Sequence, residues 1–165
     1  MYLVLMALLA LNVSKDILEA FVTINTGLEN TVVNFEKKNG DLYRDFDVAK
    51  GVDPQKVAPF WNKAQEVKQL SKELEAYIHE VRNQVIMETE KVLPEVADTI
   101  HLEYLTKKDD YDTPTNIMIG ESQDGSAGLS GSLRKKIDGY RNRLLSLLDE
   151  KDRDLDKLGL ETGKT

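Results

Sequence analysis

The run Met1-Tyr-Leu-Val-Leu-Met-Ala-Leu-Leu-Ala-Leu-Asn-Val13 limits the possible folds more than any other stretch. Every residue from Leu3 to Leu11 is apolar, and the first charge is Lys15. The run does not alternate, which excludes a half-buried strand, and it has no polar face, which excludes an amphipathic surface helix. Leu, Met and Ala form helices readily. A helix that is apolar all round belongs in a deep core or in lipid. The remainder of the chain is too polar to supply that core, so lipid is the expected surrounding.

Length complicates the assignment. Thirteen residues at about 1.5 Å each span about 20 Å, whereas bilayer hydrocarbon is about 30 Å thick. Lys15, Asp16 and Glu19 make the C-terminal flank wet. The shortfall is therefore expected at the N-terminus, where a few apolar residues and a cytoplasmic flank would precede Met1. A cleaved secretory signal would need a basic leading region and a small-x-small cleavage site. The sequence has neither, and the helical pattern continues past Lys15, so an uncleaved anchor is expected over residues 1–20.

Past the anchor, Ile17, Phe21, Ile24, Leu28, Val32 and Phe35 recur at steps of three and four, one face of an amphipathic helix. One helix is predicted from Met1 to about Lys38, with Asn39-Gly40 as its stop and a loop from Asp41 to Asp53. Asp53-Pro54 reads as an N-cap followed by a first-turn proline. A long helix then carries Val57, Phe60, Ala64, Val67, Leu74, Ile78, Val81 and Val85 on its stripe to Leu93, where Pro94 ends it. Val96, Ala97, Ile100 and Tyr104 predict a shorter helix to about Leu105. Residues 107–131 read as irregular, with Ile117-Met118-Ile119 as one short strand or an apolar plug. A last helix starts near Ser130 or Ser132, with Leu133, Ile137, Tyr140, Leu144, Leu147 and Leu148 on its stripe and Leu155 and Leu158 beyond.

The fold expected is all-α, a single N-terminal transmembrane helix continuing into a four-helix-bundle-like domain over residues 21–165. Few aromatics among many Lys and Glu suit such a bundle. A net charge of −7 argues against nucleic acid and anionic lipid surfaces. Without cysteine there is no disulfide, thiolate metal site or thiol nucleophile.

No arrangement of catalytic groups stands out, and neither a catalytic site, a cofactor site nor a metal site is expected. Asp109, Asp110 and Asp112 could hold calcium, but their spacing misses an EF-hand and no closing Glu follows, which favours solvated turn carboxylates. Gly125, Gly128 and Gly131 lack the Lys-Ser/Thr of a phosphate-binding loop and read as flexible loop. His79 and His101 have neither zincin spacing nor a cysteine partner. Asn12-Val13-Ser14 is formally a sequon, but its place at the membrane edge gives it no weight. Tyr2 and Asn12 put polar groups in the apolar run, where they either anchor at the interface or face a partner protein.

The block from Met1 to Phe21, with Leu-Ala-Leu-Asn-Val-Ser-Lys15 as its most specific part, resembles the N-terminal anchor of the GldM/PorM family of Bacteroidetes. Asp110-Tyr-Asp-Thr-Pro-Thr-Asn-Ile-Met118 resembles that family's first periplasmic domain. The resemblance implies an inner-membrane, single-pass protein with its N-terminus in the cytoplasm and its bulk in the periplasm. It implies a homodimer whose two membrane helices sit inside a pentameric ring of a polytopic GldL or PorL partner. It further implies proton flow driving type 9 secretion and, in some species, gliding, with other secretion or gliding components downstream in the periplasm. Partner-facing positions are then expected at Tyr2, Met6, Leu9 and Asn12, and Tyr2 matches a functionally important tyrosine of the family. The family's basic leading segment, with its functional Arg, and its further β-rich domains are not in this sequence.

The residues add one constraint. Between Met1 and Ser14 there is no Asp, Glu, His, Lys or Arg. A proton carrier within the membrane needs an ionisable group, so the partner must supply it and this helix reads as an axle. Two other readings remain compatible with the pattern: a sensor or chemoreceptor-like ectodomain, and a scaffold without energy coupling.

Overall fold

The computed structural model describes the backbone of residues 2–122 and 126–153, and the side chains of these except residues 3–16. The described chain is helical, without strands. Helix α1 (Tyr2–Val52) has 51 residues and at about 1.5 Å per residue is about 77 Å long. It passes straight through the expected stop at Asn39-Gly40, so the predicted loop from Asp41 to Asp53 is helix. The reason is tertiary. Tyr43 donates from its hydroxyl to the Ala64 carbonyl at 2.9 Å, and Phe46 stacks on Trp61 with ring centroids 6.0 Å apart. Lys50 lies 4.7 Å over the Trp61 ring. Together these contacts outweigh the roughly 1 kcal/mol that Gly costs inside a helix.

Only Asp53 separates α1 from α2 (Pro54–Glu90). Its N–H donates to the Ala49 carbonyl at 3.0 Å, while its carboxylate accepts from the Lys56 N–H at 3.2 Å. One residue thus closes one helix and caps the next. The two helices form an antiparallel hairpin, its tip at Asp53. Helix α2 ends at Glu90, three residues before the expected Leu93, with Lys91 as its cap in the left-handed conformation (φ 59°).

The predicted helix over 96–105 is split. Helix α3 (Pro94–Thr99) stops at Ile100, whose backbone is extended, and a 3-10 turn follows at Leu102–Tyr104. Arg82 of α2 donates to the carbonyls of Ala97 at 3.3 Å and Ile100 at 2.7 Å. A continuing helix would need the Ala97 carbonyl itself; the guanidinium takes it instead.

Ile117 and Met118 belong to α4 (Asp112–Met118), neither strand nor plug. Asp110, just before this helix, accepts from the Thr113 N–H at 3.0 Å and so satisfies one of its first-turn donors. Helix α5 (Leu129–Leu147) returns antiparallel to α2. It is joined to α2 by Tyr140 and Ser71, 2.9 Å apart, by Lys136 lying 4.6 Å over the Tyr77 ring, and by an Arg143–Glu66 ion pair. Leu155 and Leu158 lie outside the described residues.

The bundle therefore has three long helices, with short pieces filling the place of a fourth. Among the described residues the buried ones are Val81, Ile86 and Thr89 of α2 and Ala97 of α3. The core sits at the base, where α3 and α4 pack on α2. Toward the tip the helices meet through half-buried side chains.

Candidate interaction surface

Helix α1 carries the main unpartnered feature. Its stripe of Ile17, Phe21, Ile24, Leu28, Val32 and Phe35 is more than half exposed at every position. Thr23, Thr26 and Thr31 donate back to the carbonyls of Glu19, Val22 and Gly27 at 2.9–3.1 Å. Their hydroxyls are satisfied within the helix, so this stretch can be covered without stranding them. Beside it, Leu18, Phe21 and Leu28 face Leu102 and Leu105 across a groove of about 440 Å³. An apolar face of this length is unusual on a monomer and marks an interaction site. The pattern itself disclosed the stripe. The opposing Leu102 and Leu105 were missed, because some eighty residues separate them from α1 and no local signal pairs them.

Of the expected partner-facing positions, Tyr2 lies on α1 and is 76% exposed. Met6, Leu9 and Asn12 lie on the same helix, but their side chains are outside the described residues. Among the described residues no helix is long and apolar enough to cross a membrane.

The polar candidates serve packing. His79 Nδ1 lies 3.5 Å from Asp98 and 3.3 Å from Asn83, and Asn83 donates to Asp98 at 2.9 Å, an α2–α3 clasp. His101 meets Tyr104 edge to face. The backbone N–H and side chain of Thr113 hold the Asp110 carboxyl below its usual range. Among the described residues no three His, Asp or Glu side chains are grouped so as to hold a metal. Burial pushes the Tyr43 hydroxyl above its ordinary value, and Tyr140 adds to this. Gly128 is no loose hinge. A Cβ there would overlap the Met118 carbonyl and come within 2.5 Å of the Ile119 carbonyl carbon. It is glycine because the start of α5 presses on the end of α4.

This geometry defines an elongated helical stalk domain with an uncovered apolar flank. The family model described as "GldM N-terminal domain" matches residues 16–165, and the chain belongs to that family. Membership associates it with gliding motility and type 9 secretion, in a family of structural components not known as enzymes. Comparison with curated proteins and with solved structures finds no match.

Proposed function

We propose that this chain is the membrane-anchored, dimeric stalk subunit of a proton-driven motor that powers type 9 secretion and, in gliding species, motility. The observation that carries this reading is the continuity of α1, 51 residues without a break. Rotation or tilt imposed on its N-terminal part reaches the hairpin tip without crossing a loop. The apolar run lies in the inner membrane with its N-terminus cytoplasmic, and the bundle lies in the periplasm. The exposed stripe from Ile17 to Phe35 packs against the same stripe of a second copy. The paired N-terminal helices sit inside a pentameric GldL- or PorL-type ring, which contributes the proton-carrying group that the run from Met1 to Ser14 lacks. Downstream periplasmic components receive the motion. The test is purification in mild detergent followed by mass measurement. A complex of two copies with five of a small polytopic protein supports the motor. A lone dimer rules out the ring, and a monomer rules out the dimer as well.

A further inference from the structure

Every residue of α1 from Thr26 to Gly40 is exposed. Helices in proteins draw most of their stability from packing an apolar face, and this stretch has nothing of its own chain to pack on. It also carries Gly27, Gly40 and the β-branched Thr26, Thr31, Val32 and Val33, which are weak helix formers. Its apolar residues follow a strict repeat. Phe21, Leu28, Phe35 and Leu42 recur at intervals of seven, and Ile17, Ile24 and Thr31 recur at the same interval. The first four are 63%, 59%, 57% and 65% exposed. A straight helix drifts about 20° per heptad from such a repeat. A sequence that keeps the repeat from Phe21 to Leu42 fits a left-handed coiled coil, with Phe21 at an a position and Ile24 at a d position.

We propose that α1 winds with α1 of a second copy into a parallel, in-register, two-stranded coiled coil from Ile17 to Leu42, each seam residue facing its own counterpart. This rests on the dimer of the proposed function and adds its orientation and register. A partner helix stays in contact over that length only if it carries the same seven-residue repeat, and a second copy does. Taking about 100 Å² for each uncovered aliphatic and about 120 Å² for each aromatic, Ile17, Phe21, Ile24, Leu28, Phe35 and Leu42 offer about 640 Å² per copy. A stable pair buries about 800 Å² per partner, which the flanking residues complete. Thr31 sits in the seam with its hydroxyl already given to the Gly27 carbonyl at 2.9 Å. Lys38 takes the next d position, and its ammonium turns back over its own Phe35 ring at 5.6 Å. In free peptides Leu at a with Ile at d favours three or four strands. Here Leu102 and Leu105 stand along one flank, across the groove from Phe21 and Leu28, and leave room for a single further helix in a two-fold arrangement. An antiparallel pair centred on the seam would lay the apolar run of one copy along Asp41, Arg44, Asp45 and Asp47 of the other.

The chain has no cysteine, so a single introduced one can pair only with its copy. Ile17→Cys, Ile24→Cys and Thr31→Cys sample successive d positions over about 21 Å of helix. Thr26→Cys and Val33→Cys lie on the far side of the same helix. Thr26 donates to the Val22 carbonyl as Thr31 does to Gly27, so one substitution compares the two sides. The whole chain in mild detergent is oxidised with diamide and run on a non-reducing gel, and the mass of the reduced protein is measured. A disulfide needs Cα atoms within about 7 Å, so all three d positions should give about tenfold more linked dimer than the two controls. Linkage at one d position alone overturns the coil, because crossed or antiparallel helices meet at one level. Equal linkage at all five overturns it too, since that is random collision. No linkage in a protein with the mass of a dimer removes the coil and leaves the dimer on another face. No linkage in a monomer removes both, and three or more copies overturn the two-stranded form.

Discussion

Glu90, at the end of α2, holds Thr106 with both carboxylate oxygens. One accepts from the Thr106 N–H at 2.9 Å and also from the Lys107 N–H at 2.9 Å; the other accepts from the Thr106 hydroxyl at 2.5 Å. This single side chain fixes the segment that carries Leu102 and Leu105 toward α1. Burial alone would raise the Glu90 pKa, but the hydrogen bonds from Thr106 and Lys107 outweigh it and hold the carboxyl below its ordinary value. A depressed folded-state pKa means stability present above the unfolded value, near 4.3, and lost as pH falls through the folded one. Glu90→Gln should cost about 1 kcal/mol at neutral pH, discounted for solvent exposure. Urea melts of both proteins at several pH values check this. The gap should close below about pH 4, and a gap unchanged in acid would show that the charge is irrelevant.

Position on α2 should decide the cost of truncation. Ile86 is 5% exposed, and Ile86→Ala should cost about 2–5 kcal/mol. Leu74 lines a recess of about 120 Å³ beside Tyr140. Its neighbours are already incompletely packed, so Leu74→Ala should fall at or below the lower end of that range, about 2 kcal/mol. Lys72 is exposed, and Lys72→Ala should stay within about 0.5 kcal/mol. Denaturant midpoints in that order support the assignment of the core to the base; equal shifts would remove it.

Two glycines should respond in opposite directions. Gly128→Ala drives a methyl into the Met118 and Ile119 backbone and should cost about 1–3 kcal/mol. Gly27 has nothing within 4 Å of a built Cβ, so Gly27→Ala should stabilise α1 by about 0.5–1 kcal/mol. Thermal melts of the pair separate close packing from mere helix propensity.

Leu28 sits on the uncovered stripe and is 59% exposed. Leu28→Glu should leave the far-ultraviolet circular dichroism of the chain unchanged and shift its mass in detergent from dimer toward monomer. Retention of the dimer would move the interface off this face.

The N-terminal helix can be tested at two of its expected partner-facing positions. Leu9→Arg should abolish membrane insertion, since Arg at mid-bilayer costs about 2.5–3.5 kcal/mol on insertion scales. Tyr2→Phe removes only a hydroxyl, worth about 0.6–2 kcal/mol if it bonds between helices. In cells carrying the full-length protein, complex yield should be normal while secretion or motility falls. Wild-type function would leave Tyr2 as an interfacial anchor, and loss of the complex would make it a packing residue.

The helical periods of α1, α2 and α5 were legible because each long helix has one apolar stripe at steps of three and four. Asp53-Pro54 was legible for the same local reason, a cap followed by a residue suited to the first turn. The stripe from Ile17 to Phe35 was visible too, since exposure does not disturb a periodicity. The stop at Asn39-Gly40 misled because a local preference of about 1 kcal/mol competes with contacts made only in the folded chain. Tyr43, Phe46 and Lys50 keep the helix going through contacts with Ala64 and Trp61, which lie eleven to twenty-one residues away. The break at Ile100 depends on Arg82, and the role of Gly128 depends on the end of α4.

The apolar spacing by itself determined the long helices, the apolar N-terminal run and the stripe along α1, because side-chain periodicity follows from backbone geometry alone. Only the tertiary structure decided where α1 ends, which carbonyls Arg82 takes and how Glu90 ties down Thr106. These are contests between a local preference of about 1 kcal/mol and contacts of similar size made between distant residues, and they are settled only when those residues meet.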